Sequence, residues 1–164
     1  MWNVVILALV MSMAGAYAAL AERNAASGQQ HLAEASAEGM ANYRSAVVAY
    51  FQANDLRATS VSIDTLKTSG VLRAWPLLEA PPATPWGNYR DAGGTIYIYA
   101  RQLPRRELTR EIVRLARNSV LAGSYRRGVA NLQSPVYGDT GIPLAALASL
   151  ALPDGVPVWL AVAP

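Results

Sequence analysis

Trp86–Arg101 reads WGNYRDAGGTIYIYAR. Two runs of strand composition flank Asp91-Ala92-Gly93-Gly94, where glycines take the positive φ that a tight reversal needs. The stretch predicts an antiparallel hairpin with WGNYR and GTIYIYAR as its strands. In the second strand Ile96 and Ile98 alternate with Thr95, Tyr97 and Tyr99, which makes one face aliphatic and the other aromatic.

Before the hairpin, Trp75–Pro85 (WPLLEAPPATP) holds four prolines and reads as a loop or extended connector. Ahead of that, Ser62 or Asp64 caps a short helix running through Thr68. Gly70 ends it in a left-handed conformation, and Leu66, Val71 and Leu72 bury it. Glu22–Asn54 reads as a long helix with interruptions near Gly28 and Gly39. Met40, Tyr43, Val47, Tyr50 and Phe51 recur at helical spacing and give it one apolar face. Arg44, Gln52 and Asp55 lie off that face.

Beyond the hairpin, a second helix is expected from Pro104 to about Ala122, with Gly123 past its end. Leu108, Ile112 and Leu115 share one face of it; Arg106, Arg110, Arg114 and Arg117 share the opposite one. Turns follow at Ser134-Pro135, Tyr137-Gly138-Asp139 and Pro153-Asp154-Gly155. Pro143–Leu152 is too apolar for a solvated loop, and VPVWLAVA reads as a final strand.

The chain starts very differently. Trp2–Ala21 (WNVVILALVMSMAGAYAALA) carries no charge, and a helix crossing a bilayer core needs roughly 20 mainly apolar residues. All ten prolines lie from Pro76 onward, so the first part of the chain is free to run as helix. The segment is read as an uncleaved anchor, with Trp2, Val5, Leu9, Met13 and Leu20 as its membrane-contacting residues. A cleaved signal peptide is a competing reading, because Ala16-Tyr17-Ala18 and Ala19-Leu20-Ala21 both resemble cleavage sites. Against it, no Lys or Arg precedes the apolar run. A prepilin leader fits worse, since no charged leader and Gly come before the run and no Glu lies inside it. Ala8, Ser12, Gly15 and Ala19 recur at four- and three-residue steps that permit close helix packing in a membrane, a spacing that an Ala-rich segment also produces by chance.

Together these elements predict an α+β chain in three parts. Residues 1–21 form a transmembrane anchor and residues 22–54 a stalk helix packing on the head. Residues 55–164 form the head, a small antiparallel sheet with one packed helix, pilin-like in outline.

The chemistry available is narrow. The chain has no Cys, so it has neither disulfides nor thiol chemistry, and its single histidine, His31, sits on a polar helix with Glu34 as the only ligand type on the same turn. No glycine-rich phosphate loop precedes a helix, and no G-x-S-x-G elbow is present. The Glu107–Glu111 pair has Arg neighbours within a turn and reads as charge matching in place of a general acid and base. No catalytic, cofactor or metal residues are assigned, and no enzyme is expected.

Charge is concentrated. Arg101–Arg127 holds eight Arg and two Glu, on a chain of net charge +3. Guanidinium groups recognise carboxylates and phosphates through paired hydrogen bonds, so Arg106, Arg110, Arg114 and Arg117 suit an acidic partner or lipid head groups. A solvated face relieved by Glu107 and Glu111 fits the same spacing. Nucleic acid is not expected, because no binding motif accompanies the basic residues. Tyr97 and Tyr99, with Tyr89, are either an exposed aromatic patch for a partner or a cover for the sheet.

The chain resembles the small PilM family of type IVB thin-pilus and conjugative-plasmid pilus operons. The resemblance is carried by MAGAYA at Met13–Ala18, MANYRSAVVAYFQAN at Met40–Asn54, and TIYIYA at Thr95–Ala100. It continues in NSVLAGSYRRG at Asn118–Gly128, TGIPL at Thr140–Leu144 and LPDGVPVWLAVA at Leu152–Ala163. It is distinct from the actin-like cytoplasmic protein that shares the family name. The resemblance implies a non-catalytic inner-membrane part of a pilus basal apparatus, with its head in the periplasm. The partners it implies are other pilus-apparatus proteins and inner-membrane lipid, with self-association open. A soluble periplasmic protein released by signal cleavage, its tyrosines and arginines lining a ligand or glycan site, is the competing class.

Overall fold

In a computed structural model, Trp86–Arg90 (β1) and Thr95–Ala100 (β2) pair antiparallel, with Trp86 opposite Ala100 and Arg90 opposite Ile96. The expected hairpin is therefore present, closed by Asp91: its Oδ1 accepts from Thr95 N at 2.9 Å and its amide donates to Thr95 O at 3.0 Å. The structure describes residues 28, 30–72, 85–104 and 107–162. They fall in two compact units, Met1–Ala33 and Glu34–Pro164. In the first, residues 28 and 30–33 are helical; the anchor residues Trp2, Val5, Leu9, Met13 and Leu20 lie outside the described residues. Among the described residues no helix is long and apolar enough to cross a membrane.

The second unit is α+β. Its other strands are Ala122–Ser124 (β3), Asn131–Ser134 (β4), Gly138–Pro143 (β5) and Pro157–Val162 (β6). Together the six strands form one antiparallel sheet of order β1-β2-β6-β3-β4-β5. VPVWLAVA, read from sequence as a final strand, is thus central, between β2 and β3. Its residues from Pro157 to Ala161 are all buried.

Residues 34–53 form helix α1. Its apolar positions fall at helical steps, and Ala37, Met40, Tyr43, Val47 and Phe51 are no more than 1% exposed. Burying a large apolar side chain contributes about 1.5–3 kcal/mol, so this seam is a major part of the unit's core. Gly39 does not interrupt α1: it is a buried helical residue with the Trp86 indole beside it. Strand alternation puts Trp86, Asn88 and Arg90 on the α1 side together with Ile96, Ile98, Trp159 and Ala161. Tyr89, Tyr97, Tyr99, Val158 and Leu160 take the opposite side.

Ile63–Thr68 is helix α2, capped as the sequence implied: Ser62 Oγ accepts from Thr65 N at 3.1 Å, and Gly70 follows at φ +73°. The expected long second helix is much shorter. Among the described residues of that span only Thr109–Leu115 (α3) is α-helical, and it lies against β3 and β6. Arg117 and Asn118, at φ 53° and 56°, turn the chain out of the helix; the amide of Asn118 reaches back to Val113 O at 2.9 Å, which satisfies an end carbonyl. The apolar run 143–152 is a 3₁₀ helix, Ala145–Leu150, with Leu144, Leu147 and Leu152 buried.

Candidate partner-binding site

Helix α3 sorts its side chains by face. Ile112 and Val113, with Leu108 just before the helix, are buried, while Arg110 and Arg114 are exposed. Arg110 Nε lies 3.7 Å from Glu107 Oε2. Arg114 Nη2 lies 2.8 Å from Glu111 Oε2 and 3.4 Å from Glu34 Oε1 on α1. Arg117 is exposed but sits in the turn past α3, and Arg106 lies outside the described residues. The helix stops short because both Arg117 and Asn118 are left-handed, so the expected stripe is reduced to two arginines on α3 with a third displaced beyond its end. Exposed pairs of this kind contribute roughly 0–1 kcal/mol each. Exchanging Glu107 or Glu111 for a carboxylate on another molecule therefore costs little.

The tyrosines are placed otherwise. Tyr97 and Tyr99 are 5% and 8% exposed, so their rings serve the interior. The Tyr97 hydroxyl donates to Asp91 Oδ2 at 3.0 Å. Its pKa is pushed up to about 12, first by burial and then by the Asp91 carboxylate, which disfavours a second negative charge. The Tyr99 ring crosses Gly87 so closely that a Cβ there would meet it, and burial raises its pKa.

Three polar residues hold the head together: Asn88 and Arg90, to which the sequence assigns no role, and Arg44, which it places off the apolar face. Asn88, 2% exposed, uses its amide as a strand would. It accepts from Val61 N at 2.9 Å, donates to Val61 O at 2.8 Å, and donates to the Tyr43 hydroxyl at 2.6 Å. Arg90, equally buried, donates through Nη1 to the carbonyls of Phe51 and Leu56 at 3.2 and 3.3 Å. Its Nη2 pairs with Asp55 at 3.1 Å. It therefore neutralises the end of α1, where unpaired carbonyls collect. Arg44 lies not off the packed side but on it, over the Trp159 ring at 4.8 Å, and donates through Nε and Nη2 to Leu160 O. The signal for Asn88 and Arg90 was alternation with Trp86 in a strand opposite Ile96 and Ile98. For Arg44 no spacing signal exists, because a long side chain can lie along an apolar face and keep its head on a carbonyl.

Next to α3 opens a cleft of about 670 Å³ with mixed polar and apolar walls. Glu107, Arg110, Ser124, Arg126, Val129 and Gln133 are among its walls. His31 is exposed on the helical part of the first unit. Among the described residues no group of three His, Cys, Asp or Glu is placed to hold a metal ion. The described residues thus offer cationic and polar groups on α3 and around this cleft, which are suited to recognising carboxylates.

A protein-family model described as PilM matches residues 7–160. The chain belongs to the PilM family. As a PilM-family chain it is tied to the type IVB thin pilus, and membership supports a part in the pilus apparatus. The match covers strands β1 to β5 and β6 as far as Leu160, and begins within the apolar segment 2–21. No curated protein and no solved structure matches this PilM-family chain.

Proposed function

We propose that this PilM-family protein is a non-enzymatic, single-pass inner-membrane component of a type IVB or conjugative pilus apparatus, working through protein–protein contacts of a periplasmic head. The observation that carries this reading is the family match over residues 7–160. Three features support it. The uncharged segment Trp2–Ala21 has the length of a membrane helix. Helix α1 follows as a stalk whose apolar seam is buried in the second unit, an arrangement pilin-like in outline. The exposed Arg110 and Arg114 carry only surface ion pairs and are free to re-pair with other apparatus proteins or with lipid head groups.

The test joins location to function. Intact mass from separated membrane and soluble fractions is expected to start at Met1, in membranes that survive alkaline washing. R110E/R114E is expected to reduce piliation severalfold while the protein still accumulates and resists proteolysis as the wild type does. A mature protein beginning at Ala19 or Glu22 in the soluble fraction would replace the tethered component with a soluble periplasmic ligand- or glycan-binding protein. Unchanged piliation in R110E/R114E would remove those arginines from the interface.

A further inference from the structure

The cleft beside α3 has walls of different chemistry. One is the start of α3 with Arg110; another is β3 and the chain after it, with Ser124, Arg126 and Val129; the third is the β4–β5 hairpin with Gln133 and Pro135. Its volume, about 670 Å³, is within the roughly 300–1,000 Å³ of sites that enclose a small molecule or a few side chains. Glu107 is the acidic group in its walls, and it faces Arg110 at 3.7 Å with both side chains mostly exposed. Arg126 is exposed and makes no ion pair among the described residues. Asp154, nearby in the fold, is held by the amide of Arg127 at 2.8 Å. The cleft therefore keeps a surplus guanidinium and a second one weakly paired.

Its polar walls are set in advance. Ser124 Oγ donates to Gln133 O at 3.4 Å, and Gln133 Nε2 donates to Asn131 O at 3.2 Å, so both residues are already positioned on strands. Apolar surface adjoins this charge. Val129 is exposed on one wall, and Val136 and Tyr137, each 53% exposed, form the turn between the lining residues Pro135 and Gly138. A carboxylate alone would use only the arginines. A segment that carries carboxylates beside an apolar residue would use the whole surface.

We propose that this cleft is the docking groove for an extended acidic segment of a partner protein, its carboxylates on Arg110 and Arg126 and its apolar side chains against Val129 and the Pro135–Tyr137 lip. The proposal rests on the functional reading above and gives that partner its chemistry. Arg110 stands on α3 and Arg126 in the loop after β3, both exposed; each planar guanidinium can hold a carboxylate by paired hydrogen bonds, which offset the cost of ordering the side chain.

The experiment uses the purified full chain in detergent and a fluorescein-labelled oligopeptide of alternating Glu and Val, read by fluorescence anisotropy. R110E/R126E is expected to weaken binding at least about tenfold, and R110Q/R126Q to weaken it less. K67E/R57E, which reverses two charges elsewhere on the head, is expected to leave affinity within about twofold. A Gln/Val peptide is expected not to bind. Equal affinity across these variants, or equal affinity for the Gln/Val peptide, would overturn the groove. So would absent peptide binding with R110E/R126E-sensitive sedimentation on phosphatidylglycerol vesicles, which would reassign the arginines to lipid. Pilus counts answer the separate question. A strain lacking the gene that still makes pili overturns the apparatus reading, whereas lost pili with an unbound peptide overturn the groove alone.

Discussion

At the β1 end of the sheet, Trp86, Asn88 and Arg90 are buried, and the strand's outer edge is occupied. Thr59 exchanges both backbone hydrogen bonds with Arg90, and Val61 pairs with the Asn88 side chain. At the β5 end, Gly138, Asp139, Gly141 and Pro143 are exposed, and the ladder slips between Asn131 and Gln133. An open edge strand invites unwanted pairing, and a bulge, a proline and a charge along β5 all discourage it. The contrast separates two tasks within one sheet. The β1 end fixes the sheet to α1, and the β5 end presents polar surface and one wall of the cleft. Recognition through side chains, and not through a shared strand, is what such an edge permits.

The largest expected break in this comparison is R90M. It removes charge-assisted hydrogen bonds to Phe51 O and Leu56 O and the pair with Asp55, and hydrogen bonds to charged groups are worth roughly 1.5–3 kcal/mol each. A loss of about 3 kcal/mol in urea unfolding is expected; a loss below about 1 kcal/mol would show that Arg90 is incidental to the packed end.

Next comes pH. The Tyr97 pKa is raised from 10.0 to about 12. Its contribution is thus complete below pH 10.0 and is lost as pH rises through about 12. Asp139, at the open end, is shifted the other way. The Gly141 amide and the Asn131 side chain hold its carboxyl below 3.8, so its contribution is lost as pH falls through that depressed value. Y97F should therefore flatten the alkaline side of the stability profile and D139N the acid side, with the alkaline effect the larger because Asp139 is fully exposed. A Y97F profile that still falls over the same alkaline range would refute the assignment. The smallest effect is expected from E34Q. It removes one partner of Arg114 on an exposed surface and should change stability by about 0.5 kcal/mol or less, readable only against a double-mutant cycle with R114Q.

The sequence carried the local elements well and their assembly poorly. The β1–β2 hairpin, the Ser62 cap and the α1 seam were legible because each shows in a local pattern: a glycine turn between alternating strands, a capping hydroxyl, and apolar residues at helical steps. Strands β3, β4 and β5 were not, since AGS and NLQS are too short to show alternation and GDTGIP has no apolar face. Their pairing comes from β6 and from one another. The site was legible in composition only. Arg110 and Arg114 could be read as one face, but Arg126 joins Arg110 in the cleft through the fold and not through helical spacing. The expected helix from Pro104 to about Ala122 overruns α3 because left-handed backbone at Arg117 and Asn118, neither of them glycine, decides its end.

Strand β6, sixth in sequence, lies third across the sheet, and only it joins the β1–β2 pair to the β3–β4–β5 group. Until residues 157–162 have left the ribosome, those two groups have no ladder between them. A chain paused earlier presents two separate sheet edges, both awaiting the same insert. Closure of the sheet thus waits on β6, whichever group pairs first.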